Sequence, residues 1–127
     1  MAKSKGWNAR NIESIGKQKS IAAISANALT RHALRVLDLK GFHVWRQNNG
    51  AVYDPVKKVF RRNSSTPGIS DIIGFHRKTG QFIACEIKAG KDKLSPEQEV
   101  FLAGVKRAGG VALVIRAIGE LEEIFKN

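Results

Sequence analysis

A chain of 127 residues with 43% hydrophobic content is long enough for one domain with an ordinary core and too apolar to be disordered. Its single cysteine, Cys85, excludes an internal disulfide, and no apolar run approaches the roughly 18–20 residues of a membrane span. Twenty-two Lys and Arg against eleven Asp and Glu leave a net charge of +11, which favours a polyanion, nucleic acid ahead of anionic lipid.

The start, MAKSKGWNAR, is basic but leads into no apolar block or small-residue cleavage site, so no secretory signal is read and a cytoplasmic location is expected. Residues 1–19 are expected to form a basic N-terminal arm, a mobile tail or one that tracks phosphates. Residues 20–127 are then a single domain. From Ser20 to Lys40, Ala22, Ala26, Leu29, Ala33, Val36 and Leu37 recur at helical spacing, and Gly41 is a natural stop. FHVWRQ (42–47) reads as a strand. Asn49-Gly50 is a two-residue hairpin signal that predicts pairing with AVYD (51–54). VKKVFRR (56–62) is a further extended piece and NSSTPG (63–68) a loop.

GISDIIGF (68–75) and FIACEIKA (82–89) read as two strands around a turn. SPEQEVFLAGVKRAGG (95–110) is a helix with Ser95 as its cap, Pro96 at the first position and Gln98 completing a capping box. VALVIRA (111–117) is an apolar strand of buried type, and ELEEIFK (120–126) a short helix. This order predicts an α/β fold, a mixed central sheet flanked by helices.

The segment EIK poses the chemical question. Strand side chains alternate, so Glu86 and Lys88 share one face while Ile83, Cys85 and Ile87 take the other. A four-residue loop at Arg77–Gly80 would put Asp71 opposite Glu86; a two-residue loop would put it opposite Lys88. Either gathers Asp71, Glu86 and Lys88 on one side, whereas an unbulged three-residue loop would not. Two facing carboxylates repel unless a proton or cation lies between them, and oxygen donors suit Mg2+ or Mn2+. Such an ion can activate water and polarise a phosphate, with Lys88 offsetting charge on the phosphate oxygens. The plainer reading is a strand-end ion pair beside an unrelated acid.

GISD (68–71) followed by EIK (86–88) resembles the PD-(D/E)xK nuclease motif. LSPEQEVFLAGVKRAGGVALVI (94–115) and VWRQNNGAV (44–52) narrow the likeness to the VRR-NUC domain, over about residues 26–118. The resemblance implies a restriction-endonuclease-like αβββαβ core and divalent-metal-dependent hydrolysis of DNA. It implies Asp71 and Glu86 as metal-binding acids, Lys88 as the catalytic lysine and Gln98 as a glutamine at the catalytic site, a role that stands beside the capping box. Standalone members resemble Holliday junction resolvases, which implies branched DNA as a substrate and a homodimer. The family's usual glutamate early in the first helix has no acidic counterpart: residues 25–28 are Ser-Ala-Asn-Ala, of which Asn27 offers an amide oxygen. That departure keeps open an alternative, a nucleic-acid-binding module of the same fold that has lost catalysis.

Lys57, Lys58, Arg61 and Arg62, with Arg46, Lys91 and Lys93, are the expected nucleic-acid contacts, holding the phosphate backbone without reading sequence. Trp45, Tyr53 and Phe60 are expected in the sheet-face core, with stacking on unpaired bases as the other role open to them. His32, His43 and His76 show no metal-ligand spacing, and Cys85 reads as core packing.

Overall fold

The computed structural model describes residues 24–47, 51–62 and 66–126. The basic arm and the Asn49-Gly50 pair lie outside them. Helix α1 (Ala26–Leu39) begins where Ser25 caps it, its hydroxyl accepting from the Ala28 amide at 3.1 Å. Leu29, Ala33, Val36 and Leu37 are buried, as their spacing requires. Gly41 ends the turn after the helix at φ +98°, a conformation that costs a residue without Cβ little.

Four strands form the sheet in the order β1 (Phe42–Arg46), β4 (Ile72–His76), β5 (Phe82–Ile87), β6 (Val111–Ile115). The first three are antiparallel to one another and β6 runs parallel to β5. A parallel neighbour needs a crossover, and α2 (Pro96–Arg107) supplies it. Between β1 and β4 the chain makes a separate ribbon, β2 (Ala51–Asp54) antiparallel to β3 (Val59–Arg62). A short α3 (Glu120–Ile124) closes the chain. With the ribbon taken as an insertion, the order is αβββαβ.

The Asn49-Gly50 signal therefore does not pair β1 with β2. β1 pairs with β4, from Phe42 opposite His76 to Arg46 opposite Ile72. That register lays Phe42 and Val44 over α1, with Ile72 beside them. Burial against a distant element outweighs a local turn preference. β2 finds β3 through a turn whose signal is Asp54-Pro55: Asp54 Oδ1 accepts from the amides of Val56 (2.9 Å) and Lys57 (3.2 Å).

Each sheet face carries its own core. On one, Ile72, Ile83, Cys85, Ile87 and Ile115 pack with α1 and with Leu121 of α3. His32 and Glu122, 3.1 Å apart, join those two helices at the surface. On the other, Ile73 and Ala84 pack with Leu102 of α2. Full burial of each Leu or Ile contributes about 1.5–3 kcal/mol before the entropy of ordering is counted. Because β5 is buried on both faces, Glu86, at 2% exposure, sits under α2 and not at a solvated rim.

Candidate active site

The loop joining β4 to β5 decides the register. His76 N donates to Gln81 O at 2.8 Å and Gly80 N to His76 O at 2.8 Å, closing a four-residue loop, Arg77–Gly80. Ile72 faces Cys85 and Ile73 faces Ala84, so Asp71, one residue before β4, falls opposite Glu86. Asp71 prolongs the ladder with its side chain: Oδ2 accepts from the Ile87 amide at 2.9 Å, while its carbonyl accepts from Gln47 N at 2.6 Å. On the far side, Lys88 N donates to Ile115 O at 3.0 Å. The half-buried Lys88 side chain thus follows Glu86 on the same face.

Gln98 does both things the sequence left open. Its Oε1 accepts from the Ser95 amide at 2.8 Å and its own amide donates to Ser95 Oγ at 3.1 Å, the reciprocal capping box. Its Nε2 donates to Glu86 Oε1 at 3.1 Å. One amide side chain both starts α2 and grips the carboxylate beneath it.

The second Glu86 oxygen, Oε2, is buried and accepts no hydrogen bond. An ionised carboxylate so placed is costly, and the Glu86 pKa is pushed up from 4.5 to about 8. Burial contributes most, then the facing Asp71, which takes a hydrogen bond from the protonated acid and repels the ionised one; the Lys88 ammonium works the other way. Cys85, pointing to the opposite face, is raised to about 12 by burial and by the charges of Asp71 and Glu86, so its thiol stays protonated.

These donors suit a hard divalent cation. They are two facing carboxylates, one with a buried oxygen in need of a positive partner, and the soft Cys85 beside them points to the opposite face. No cluster of three or more Asp, Glu, His or Cys forms among the described residues, so water and substrate oxygens would have to complete the coordination.

The remaining expected residues divide. Arg46 ends β1 beside Ile72, and its Nη2 donates to Asn27 Oδ1 at 2.7 Å. The amide oxygen of Asn27 is thus held by an arginine. Lys91 and Lys93 are exposed in the loop that leaves the Glu86 end of β5, a loop tied down where Arg116 Nη1 donates to Asp92 O at 2.6 Å. Lys57 and Lys58 are exposed at the tip of the ribbon. Arg61 pairs with Asp54 at 3.3 Å, and Arg62 is the last residue of β3.

The aromatic expectation is corrected. Trp45 is 42% exposed, Tyr53 50% and Phe60 72%. Tyr53 and Phe60 belong to neither core, and Trp45 lies on the α2 side of edge strand β1, against His43. Aromatic strand propensity places a residue in a sheet but does not say whether anything covers it.

Sequence reasoning missed Gly68. At φ +72° it lies against the first turn of α2, where an added Cβ would stand 2.2 Å from Glu97 O. This contact docks the loop carrying Asp71 on the helix carrying Gln98. Its place where the loop NSSTPG meets GISD is the available signal, but neither pattern says that a helix packs against it. Clefts of about 660 and 630 Å3 lie elsewhere, around the β4–β5 loop with the end of α2 and around Gly41, and neither includes the acids.

Compared with known families, residues 44–118 match the model of the VRR-NUC domain, more than half of the chain. The chain belongs to the VRR-NUC family. Comparison with curated proteins and with solved structures gives no match. As a VRR-NUC domain it is of nuclease type, with DNA as the implied substrate. The match begins at Val44 and so leaves out α1, where Asn27 lies.

Proposed function

We propose that this VRR-NUC domain is a divalent-metal-dependent endonuclease that hydrolyses phosphodiester bonds in branched DNA, working as a homodimer. The observation that carries the reading is the opposed pair Asp71–Glu86, with one buried carboxylate oxygen left without a donor. Asp71 and Glu86 would hold Mg2+ or Mn2+, which when bound supplies a Lewis acid and lowers the pKa of a coordinated water. Gln98 holds Glu86 Oε1, and Oε2 stays buried without a donor. Ile87 N fixes Asp71 Oδ2 in the same way. Lys88, next on the face, would hold a phosphate oxygen and offset charge gathering there. Lys91 and Lys93 extend positive charge from the same strand end. Two-fold pairing of such sites suits symmetric cuts in a branched substrate.

Asp71→Asn and Glu86→Gln are expected to abolish Mg2+-dependent cleavage while DNA binding stays intact or tightens. Asn and Gln keep the side-chain shape, and an amide oxygen at 71 still accepts from Ile87 N. A panel of duplex, flap and four-way junction DNA with Mg2+ or Mn2+ is the assay. Both variants cutting as well as the unaltered chain would refute the site.

A second reading rests on Asn27. Where the family usually carries a glutamate this chain has an amide, and Arg46 occupies its oxygen. That favours a DNA-binding module with weak or lost catalysis. Persistent, salt-sensitive binding with no product on any panel member would select it.

A further inference from the structure

The β2–β3 ribbon exposes what a folded chain normally hides. Tyr53 and Phe60 face each other directly, ring centroids 5.2 Å apart and planes at 64°. Both are at least half exposed, and Val56 at the tip is 88% exposed. A ribbon alternates its faces, so the aromatic pair occupies one side while Asp54 and Arg61 bond across the other. The tip is stiffened by the two amides that Asp54 Oδ1 receives and carries the exposed Lys57 and Lys58. Lys58 adopts φ 56°, the only non-glycine residue with positive φ among those described. That position suits glycine better, and lysine holds it at a cost in backbone strain.

The ribbon is rooted beside the acids. Gln47, whose amide bonds Asp71 O, precedes Ala51 by four residues, a reach of at most about 14 Å. So a strip with an aromatic face, cationic tip and ion-paired back is tethered within that reach of the Asp71 end of the sheet. Cationic residues beside exposed ring faces match an anionic chain with free base faces, and +11 over the whole chain points to the same partner.

We propose that Tyr53 and Phe60 stack on an unpaired base next to a branch in the DNA, with Lys57 and Lys58 on its phosphates, so that the ribbon selects branched over fully paired substrate. This rests on the nuclease reading above and adds the element that chooses the substrate. Lysines at the tip contribute attraction to any DNA; the aromatic face contributes only where a base is out of its stack.

The test measures binding of the full chain, in chelator to prevent cleavage, to two labelled probes: a fully paired duplex and the same duplex with an unpaired flap. For the unaltered chain the flap probe binds more tightly. Tyr53→Ala with Phe60→Ala is expected to weaken flap binding about tenfold or more beyond any loss on duplex. Lys57→Ala with Lys58→Ala is expected to weaken both probes alike and to lower the salt dependence. Phe60→Trp keeps an aromatic face and is expected to keep the preference. Equal losses on both probes for the aromatic variants overturn the proposal, as does a Phe60→Trp variant that behaves like Phe60→Ala. An unchanged preference accompanied by dimer dissociation in sedimentation assigns the ribbon to a subunit contact instead. If the unaltered chain binds neither probe, the nuclease reading falls and the ribbon's role with it; if it binds both and prefers neither, only the ribbon's role falls.

Discussion

Gln98 Nε2 donates to Glu86 Oε1 at 3.1 Å while Gln98 Oε1 accepts from the Ser95 amide at 2.8 Å. The two ends of one amide thus couple the start of α2 to the buried carboxylate of β5. Gln98→Ala loses both bonds, Ser95→Ala only the cap. Each is expected to cost about 1–2 kcal/mol of stability. Cleavage is expected to fall on the order of tenfold or more in Gln98→Ala, because Glu86 is then free to turn, and much less in Ser95→Ala. Urea unfolding and initial cleavage rates of the two variants measure the difference. Equal rates would show that capping alone explains the glutamine.

The raised Glu86 pKa makes metal-free stability depend on pH. Unfolded, the acid titrates near 4.5; folded, near 8. Between those values the native state holds a proton that the unfolded chain has released, so stability falls as pH rises across that window. The total is on the order of a few kcal/mol. Thermal unfolding in chelator at a series of pH values, compared with Glu86→Gln, isolates it: the variant is expected to lose that part of the slope.

Metal binding has the matching signature. A cation held by Asp71 and Glu86, as proposed, would displace the Glu86 proton, so below pH 8 binding is expected to release protons and to tighten as pH rises. Calorimetry with Mg2+ in buffers of different ionisation enthalpy reads the proton count. No proton release near pH 6.5 would place the cation elsewhere.

Gly68→Ala is expected to be among the most damaging single-methyl changes in the chain. The new Cβ would meet Glu97 O at 2.2 Å at a residue of positive φ. Either the loop lifts from α2 or the helix start shifts, and both move Asp71 away from Gln98. A loss of more than about 2 kcal/mol is expected in denaturant unfolding, with cleavage reduced further than that loss explains.

Cys85 is fully buried and its thiol is pushed up to about 12. It is expected to resist maleimide in the native state and to react as the chain unfolds, so labelling under graded urea reports opening of the β4–β5 core. Rapid native labelling would contradict the buried register of β5.

Much of this molecule is legible along the chain. The 3.6-residue spacing of Leu29, Ala33, Val36 and Leu37 marks α1; Ser95, Pro96 and Gln98 mark the start of α2. The alternation of FIACEIK separates Cys85 from Glu86. The four-residue option for Arg77–Gly80, one of two that bring the acids together, is the register adopted. These features rest on contacts within a few residues, which is why periodicity and turn chemistry find them.

What tertiary structure alone decided is which distant surfaces meet. The partner of β1 is β4, because Phe42 and Val44 gain more from α1 than a local turn offers. Tyr53 and Phe60 stay exposed because neither joins a core on either face of the sheet, a fact their strand propensity does not contain. Gln98 reaches Glu86, and Arg46 reaches Asn27, across gaps of 12 and 19 residues. Local pattern sets the direction in which each side chain leaves the backbone; burial summed over the whole chain sets what it finds there.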